Sequence, residues 1–310
     1  MKRYALGIDV GGSHISCALV DIQKGKILEG TRSQGEVDNK ANKEAILRSW
    51  IDVLKVTLKA INKEDLAGIG FGMPGPFAYE TGIGRFEMVD KYESLNGIDI
   101  GIKLKELLNL DISIPFRFMN DASAFAVGEA WLGSAADVDK SVSITLGTGF
   151  GSAFIDSGVP VVEGNYVPKM GCVWHLPYKN GIADDAFSTR WFINRYMEET
   201  GVMVSGARSI AEAAPECSKA AGIFEQYGNN MGEFLGPWLK KFDAKILVIG
   251  GNVTRAYHLF GPAFEKVLKT QGVDTKVKLS KLKEDAAIIG SARMLDMEYW
   301  NLIKSTIPKM

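Results

Sequence analysis

The first twenty residues contain two short apolar runs separated by a pair of glycines. The run from Leu6 to Val10 carries one acid, Asp9, and a second run follows Gly11 and Gly12 up to Asp21. This pattern predicts a β-hairpin with an acid at the end of its first strand. Glycines let backbone N–H groups approach an anion, which suggests a phosphate-binding turn beside a metal-binding carboxylate. For a lone glycine pair, an ordinary hairpin turn is the favoured explanation.

A polar linker from Gln34 to Lys43 is predicted to follow this hairpin. From Asn42 to Ile61 apolar residues recur at helical spacing, which predicts a helix that covers the sheet. The stretch from Leu66 to Gly72 then predicts a buried strand. It runs into a turn that contains Gly75 and Pro76, at the end of a strand where ligands bind in open α/β sheets.

The next strand signal leads directly into an acidic residue. A helix is predicted over Ile102–Leu110, a strand over Ile112–Phe118 and a helix of small residues over Ala122–Leu132, with Asn120 and Asp121 between the last two. A carboxylate at a helix start caps the free N–H groups of the first turn. The same position presents a catalytic acid, and this segment alone leaves both interpretations open.

The second half of the chain repeats the opening pattern. The residues from Ser141 to Ile155 form a strand, a glycine turn and a second strand, and a buried strand from Lys245 ends in another glycine pair. A final helix of small residues begins at Ala286. Two such hairpins in one chain predict a duplicated domain whose halves face each other across a cleft. The turn residues of this second half are Gly147, Thr148, Gly149, Gly250, Gly251 and Asn252.

Composition narrows the class of protein. Of the 310 residues 46% are hydrophobic and 24% charged, and the net charge of −1 gives no basic surface for nucleic acid or an anionic membrane. The three cysteines, Cys17, Cys172 and Cys217, are too widely spaced for a disulfide framework. With no signal-peptide core and no run long enough to span a membrane, a cytoplasmic protein is predicted.

The order of these motifs resembles the sugar kinase, hexokinase and actin-like ATPase fold, and within it the ROK family of repressors and kinases. The resemblance covers the chain from Gly7 to about Met297. It implies an α/β protein of two duplicated ribonuclease H-like domains, each a mixed sheet flanked by helices, with a cleft between them. The implied first domain is 1–121, completed by a C-terminal helix at 292–310, and the second is 122–291.

The resemblance also implies roles for individual residues. Asp121 would be the general base, and Asp9 would hold Mg²⁺, through water. The ATP phosphates and adenosine would lie against Gly11, Gly12, Ser13, Gly147, Thr148, Gly149, Gly250, Gly251 and Asn252. The sugar would lie against Gly75, Pro76, Asn120 and Asp121, with His175 and Asp185 as further candidates.

The departures from the family pattern fall at identifiable positions. Ser13 and His14 stand where the family has Thr-Lys, so a hydroxyl is kept and a fixed cation is lost. Lys169 and Cys172 stand where the family has the Glu and His of Glu-Ile-Gly-His, and the usual Asn-Leu is missing from the loop around Lys91. The cysteines of the family's zinc cluster are absent too, and we expect no structural zinc because the site would need four ligands.

The function implied by this resemblance is ATP-dependent phosphorylation of a hydroxyl on a sugar or sugar derivative, by an enzyme that uses Mg²⁺. The alternatives are a non-catalytic sensor of sugar or nucleotide and an ATPase coupled to another protein. Only about six residues precede Gly7, which disfavours direct DNA binding. The expected partners are the sugar and ATP, with no nucleic acid, no membrane and a possible homodimer.

Overall fold

The computed structural model describes residues 2–310. The strands are β1 (Tyr4–Val10), β2 (His14–Asp21), β3 (Lys26–Ile27), β4 (Ser33–Glu36), β5 (Leu66–Met73), β6 (Phe77–Ala78), β7 (Ile83–Gly84), β8 (Phe116–Asn120), β9 (Lys140–Leu146), β10 (Phe150–Asp156), β11 (Val159–Pro160), β12 (Pro177–Tyr178), β13 (Gly181–Ile182), β14 (Ile246–Gly250) and β15 (Lys276–Leu279). The α-helices are α1 (Lys43–Leu58), α2 (Ile100–Leu108), α3 (Asp121–Leu132), α4 (Ala183–Phe187), α5 (Thr189–Thr200), α6 (Ala207–Ala213), α7 (Ser218–Phe242), α8 (Tyr257–Thr270), α9 (Asp285–Arg293) and α10 (Met297–Ile303).

The contacts between residues in space divide the chain into two compact units. The first consists of the chain up to Ala136, the short segment Gly158–Pro160 and the C-terminal segment Glu284–Met310. The second consists of Asp137–Ser157 and Val161–Lys283. These units place all of α3 in the first, whereas the sequence-based division begins the second domain at residue 122. That division, and the cleft expected between the domains, stay predictions.

The sheet of the first unit is mixed. Its strand order is β3-β2-β1-β5-β8, and β4 also pairs with β2. The predicted hairpin is present, because β1 and β2 are antiparallel with Asp9 opposite Ser16. The strands β1, β5 and β8 run parallel to one another. Their carboxyl ends therefore lie at the same edge of the sheet.

The sheet of the second unit has the same kind of hairpin. The strands β9 and β10 pair antiparallel, and β9, β14 and β15 run parallel in that order. The buried residues of β9 and β14 pack in one core with aromatic side chains of α5 and α7, among them Phe192, Phe224 and Tyr227. The mixed α/β class predicted from the sequence is thus observed in each unit.

Several predicted elements differ from the observed ones. The predicted linker from Gln34 overlaps strand β4, whose residues Ser33–Glu36 pair with the first four residues of β2. The strand predicted from Ile112 begins only at Phe116, because residues 111–114 form a turn in which the side chain of Asp111 accepts a hydrogen bond from Ser113. The small-residue helix at the C-terminus ends at Arg293, and α10 follows as a separate helix.

Helix α9 packs against the first sheet and α3 at very short range. A Cβ atom at Gly7 or Gly70 would approach the backbone carbonyls of α9 closer than 3.0 Å, and one at Gly128 or Gly290 would meet the facing helix backbone equally closely. Side chains larger than hydrogen therefore do not fit at these positions. The hydroxyl of Ser291 accepts a hydrogen bond of 3.0 Å from the N–H of Ile8, which joins α9 to β1 directly.

We predict that Gly290→Ala destabilises the protein, because its new methyl group would overlap the carbonyl oxygen of Ala124. The expected loss is about 3 kcal/mol in the free energy of unfolding. Gly222 provides the matched control, since it lies within α7 and a Cβ there meets no atom within 4 Å. Gly222→Ala should raise the stability by about 1 kcal/mol through helix propensity. Urea denaturation followed by circular dichroism measures both, and equal effects would contradict the packing argument.

Candidate functional site

The carboxyl edge of the first sheet brings the acidic candidates together. In the parallel register Asp9 is aligned with Gly72, and the next residue, Met73, is aligned with Asn120. Asp121 follows as the first residue of α3. Residues far apart in sequence thus meet at the edge where ligands bind in sheets of this kind.

Asp121 is held in place at the start of α3. Asn120 is the N-cap residue, and its side-chain oxygen accepts hydrogen bonds from the N–H groups of Ala122 (3.1 Å) and Ser123 (3.2 Å). The Nδ2 of Asn120 and the N–H of Ala122 also donate to Oδ1 of Asp121, both at 2.9 Å. Because Asn120 serves as the cap, both of these bonds from its Nδ2 and from the N–H of Ala122 go to the same carboxylate oxygen, Oδ1.

Burial raises the pKa of both acids. For Asp121 burial outweighs the lowering effects of the Lys91 ammonium and the hydrogen bonds just described, so its pKa lies above the usual value. For Asp9 burial acts together with the negative charges of Asp121 and Glu284 and raises the pKa to about 7, while Arg32 lowers it. A carboxyl group with a raised pKa is a suitable proton acceptor near neutral pH.

The turn of the first hairpin has its carbonyl groups fixed from outside. Tyr92 donates its hydroxyl to the carbonyl oxygen of Gly11 at 2.6 Å, and Asn39 donates its side-chain amide to the carbonyl of Gly12. The carbonyl of Ser13 accepts from the N–H of Val37 at 2.9 Å. Within residues 2–310 the N–H groups of Gly12 and Ser13 make no hydrogen bond, and both residues are exposed. Such a turn offers donors to an anion.

His14 covers part of this turn. A Cβ atom at Gly11 would lie 2.8 Å from Cε1 of His14, so the ring packs over the glycine. His14 itself is exposed. The position where the family pattern has lysine is therefore filled by a ring packed on the turn.

The turn of the second hairpin is built in a similar way. The carbonyl of Gly147 accepts two hydrogen bonds of 2.8 Å from Thr189, one from its N–H and one from its hydroxyl. Asp184 accepts a hydrogen bond of 2.7 Å from the N–H of Phe150 and pairs with Arg190 at 2.6 Å. The N–H groups of Thr148 and Gly149 have no hydrogen-bond partner in the described part of the chain. This turn too presents free donors.

The glycine pair at the end of β14, Gly250 and Gly251, lies beside that second turn. Gly250 is in register with Thr145, near the end of β9. Gly251 has a φ of +86°, and a Cβ atom there would overlap the backbone of Leu146. Only glycine fits this position without strain. The candidates Gly250, Gly251 and Asn252 thus lie at the same edge as Gly147–Gly149.

The sugar-side candidates are divided between the two units. In the first unit, Tyr79 connects the turn at Gly75 to Asn120. The hydroxyl of Tyr79 donates to the carbonyl of Met73 at 3.2 Å and accepts a hydrogen bond from Nδ2 of Asn120 at 3.3 Å. A Cβ at Gly75 would lie 3.3 Å from the same hydroxyl. Gly75 and the adjoining Pro76 are therefore close to Asn120.

His175 and Asp185 lie in the second unit. The Nδ1 of His175 is 3.8 Å from the sulfur of Cys172, and burial together with Lys169 lowers the pKa of the ring. Asp185 is exposed and accepts a hydrogen bond of 3.2 Å from the N–H of Ile182 at the start of α4. The roles of both residues toward a sugar stay predictions.

Sequence reasoning missed the residues that hold the turns. Asn39 lies in the predicted linker, Tyr92 in the loop around Lys91, and Tyr79 shortly after the turn at Gly75 and Pro76. Asp184 directly precedes the predicted candidate Asp185. The polar residues between the predicted elements were the only available signal.

Within residues 2–310 no three side chains of His, Cys, Asp or Glu are grouped to bind a metal ion, and no helix there has the length and apolar character of a membrane span.

Comparison with known proteins places these features in a family. The model of the ROK family matches residues 5–298 of the chain. Glucokinase of Thermotoga maritima is 27% identical over 95% of this chain and 98% of its own length. The xylose repressor of Caldicellulosiruptor bescii is 22% identical over 94% of this chain and 77% of its own.

The solved structures show the same fold. The structure of a ROK family glucokinase from Streptomyces griseus in complex with glucose and AMPPNP superposes with a TM-score of 0.74 at 20% identity, covering 94% of this chain and 98% of that one. The predicted actin-like α/β fold is confirmed by this likeness. Because the family model spans nearly the whole sequence, the chain belongs to the ROK family.

Proposed function

We propose that this protein transfers the γ-phosphoryl group of ATP to a hydroxyl group of a sugar or sugar derivative, with Asp121 as the general base. The observation that carries the proposal is the arrangement in the first unit. The partly buried carboxyl group of Asp121 has a raised pKa and lies at the carboxyl edge of the first sheet. The first hairpin turn, at the end of β1 on the same edge, is exposed and has free N–H groups. The kinases among the relatives support the same reaction class.

The reaction needs few covalent steps from the protein. The acceptor hydroxyl oxygen forms a bond to the γ-phosphorus, and the bond from that phosphorus to the bridging oxygen breaks with its electron pair staying on ADP. Asp121 takes the proton of the hydroxyl. Asn120 keeps one carboxylate oxygen occupied at 2.9 Å, so that the other oxygen is available for the acceptor.

The two glycine turns are the candidate sites for the nucleotide. Free N–H groups of Gly12 and Ser13 in the first unit, and of Thr148 and Gly149 in the second, are suited to phosphate oxygens. Gly250, Gly251 and Asn252 provide a surface without bulky side chains for the adenosine. The hydroxyl groups of Ser13 and Thr148 add further donors.

Asp9 fits a magnesium ion bound mainly through phosphate oxygens and water. Mg²⁺ favours oxygen ligands and needs only one or two carboxylates from the protein. Burial raises the pKa of Asp9, and so do the negative charges of Asp121 and Glu284, so a cation bound there would relieve the repulsion between these charges. When bound, the ion would neutralise charge on the β- and γ-phosphates.

The sugar itself is identified only as a class. Gly75, Pro76 and Asn120 are the proposed contacts in the first unit, and His175 and Asp185 those in the second. Lys169 and Cys172 replace the usual acid and histidine, which favours an acceptor other than glucose. A screen of ADP release over hexoses, amino sugars, N-acetyl sugars and polyols would identify it.

A second candidate function is a non-catalytic sensor of sugar or nucleotide. The xylose repressor among the relatives matches 94% of this chain, which makes regulation a function found in the same family. Calorimetric titration separates the two functions. Binding of ATP and Mg²⁺ without turnover of any sugar in the screen would favour the sensor.

We expect Asp121→Asn to lower kcat by about 10³-fold, because the amide cannot accept the proton. The affinity for AMPPNP should stay the same, since the hydrogen bonds of the nucleotide turns do not involve Asp121. Asp111→Asn is the control, because this exposed acid bonds only to nearby Ser113. Normal turnover by the Asp121 variant would remove it from the reaction.

Asp184→Ala should weaken nucleotide binding by about tenfold, because the N–H of Phe150 and the guanidinium of Arg190 both lose their acceptor. The neighbouring variant Asp185→Ala removes an acid that bonds at the start of α4 and should leave nucleotide affinity within about twofold. Calorimetry with ADP measures both constants. A larger effect of Asp185 than of Asp184 would reverse the assignment.

Asp9 should make the stability fall as the pH rises. Its pKa is about 7 in the folded chain against 3.8 for the unfolded group, so the folded state binds the additional proton between these values. The stability that the protonated Asp9 contributes is therefore fully present below about pH 4 and is lost as the pH rises to about 7. We predict that Asp9→Asn raises the melting temperature at pH 8 more than at pH 5, in metal-free buffer.

The control for this measurement is Asp52→Asn, which changes an exposed acid on α1. It should shift the melting temperature equally at both pH values. A pH-independent effect of Asp9→Asn would show that its carboxylate charge carries no cost in the folded state.

A further inference from the structure

A short segment from Asp90 to Glu93 is fixed to the first glycine turn. The hydroxyl of Tyr92 donates to the carbonyl of Gly11 at 2.6 Å, and its N–H donates to the carbonyl of Asn39 at 2.8 Å. Asn39 in turn bonds to the carbonyl of Gly12. These hydrogen bonds make the segment and the turn one structural piece.

The neighbours of Tyr92 hold it rigidly. Its buried ring packs edge-on against Trp50 with 5.8 Å between centroids and against Phe86 at 5.6 Å. On the other side, Asp90 pairs with Lys40 at 3.0 Å, and its N–H donates to Glu93. Lys91 lies between these two residues, of which Tyr92 is bonded to the turn.

The ammonium group of Lys91 has no acid within 4 Å among residues 2–310. Its side chain is only partly exposed. Its charge acts on Asp121 and opposes the increase in the pKa that burial causes. Lys91 is thus a cation without an acid partner in residues 2–310, and it directly precedes Tyr92, which is bonded to the first glycine turn.

The first glycine turn contains no lysine or arginine of its own. Ser13 is neutral, and the ring of His14 packs over Gly11 instead of extending from the turn. The acids Asp9 and Asp121 add negative charge where the triply charged end of ATP would arrive. A positive side chain on a piece attached to the turn would compensate for this charge.

We propose that Lys91 is a catalytic residue that binds the oxygens of the phosphoryl group during its transfer and supplies the cation that the first turn lacks. The inference rests on the proposed kinase function. As the phosphorus leaves the bridging oxygen of ADP and bonds to the acceptor oxygen, the ammonium keeps its protons and neutralises the equatorial oxygens. Asp121 alone takes up the acceptor proton.

The attachment of Lys91 favours the phosphoryl group over the acceptor as its partner. The hydrogen bonds of Tyr92 and Asn39 lead to Gly11 and Gly12, the phosphate turn, and none of them leads to the turn at Gly75 and Pro76. A carboxylate or phosphate group on the acceptor would attract the Lys91 ammonium in the same way as the phosphoryl group. The experiment must therefore distinguish these two sources of negative charge.

The test measures the binding of ADP alone and of ADP with aluminium fluoride, a mimic of the transferring phosphoryl group, in the presence of Mg²⁺ and the acceptor. Lys91→Met should weaken binding of the aluminium fluoride complex by at least about tenfold and lower kcat by about 100-fold. Binding of ADP alone should change by less than about twofold. Lys91→Arg, which keeps the charge, should restore most of both losses.

Lys103→Met is the charge-matched control, because this exposed lysine on α2 pairs with Glu106 at 2.9 Å. Lys103→Met should leave the binding of ADP and of its aluminium fluoride complex unchanged. Equal binding of the aluminium fluoride complex by wild type and Lys91→Met would overturn the proposal. A loss confined to acidic acceptors, with neutral acceptors still phosphorylated at the wild-type rate, would also overturn it and assign Lys91 to the acceptor.

The proposed function can fail independently of Lys91. If the wild-type protein binds neither ADP nor its aluminium fluoride complex, the kinase assignment itself is wrong. If the wild type binds both and turns over, the difference between Lys91→Met and Lys91→Arg decides the role of Lys91 alone.

Discussion

The first unit depends on the close packing of helix α9, which returns from the C-terminal part of the chain. Glycines at positions 7, 70, 128 and 290 allow its backbone to touch β1, β5 and α3. The hydroxyl of Ser291 bonds to the N–H of Ile8, immediately before Asp9. Because β1 ends near Asp9 and α3 begins with Asp121, this one helix fixes both acids. Backbone contacts at such distances are rigid, which suits a site that must keep charges at fixed positions.

The two glycine turns use a common construction. Side chains from distant segments bind the carbonyl oxygens, Tyr92 and Asn39 in the first turn and Thr189 in the second. The N–H groups of the same turns are left free. An anion therefore meets donors that are already oriented, and little ordering is needed when it binds. Positive side chains act on the two acids as well. Lys91 lowers the pKa of Asp121, and Arg32 lowers the pKa of Asp9, and each thus opposes the rise caused by burial.

Catalysis and stability have opposite requirements at these acids. The role of base proposed for Asp121 calls for a raised pKa, and burial provides it, but an ionised carboxylate in such a place costs stability above that pKa. The cost falls on the ends of β1 and β8. The packing of α9 against β1 and α3 stabilises the elements that carry the two acids.

The sequence by itself determined the elements whose signal is local. Apolar runs ending in glycine-rich turns predicted both hairpins, helical spacing predicted α1, and the acid after a strand predicted the position of Asp121. Strand β4 escaped prediction because Ser33–Glu36 are polar and take their conformation from pairing with β2. The partners of the turns were decided only by tertiary structure, as Tyr92 lies 81 residues from Gly11 and no local pattern encodes that contact. The same holds for Asp184 in place of Asp185: neighbouring acids look alike in sequence, and only the direction of helix α4 decides which one reaches Phe150.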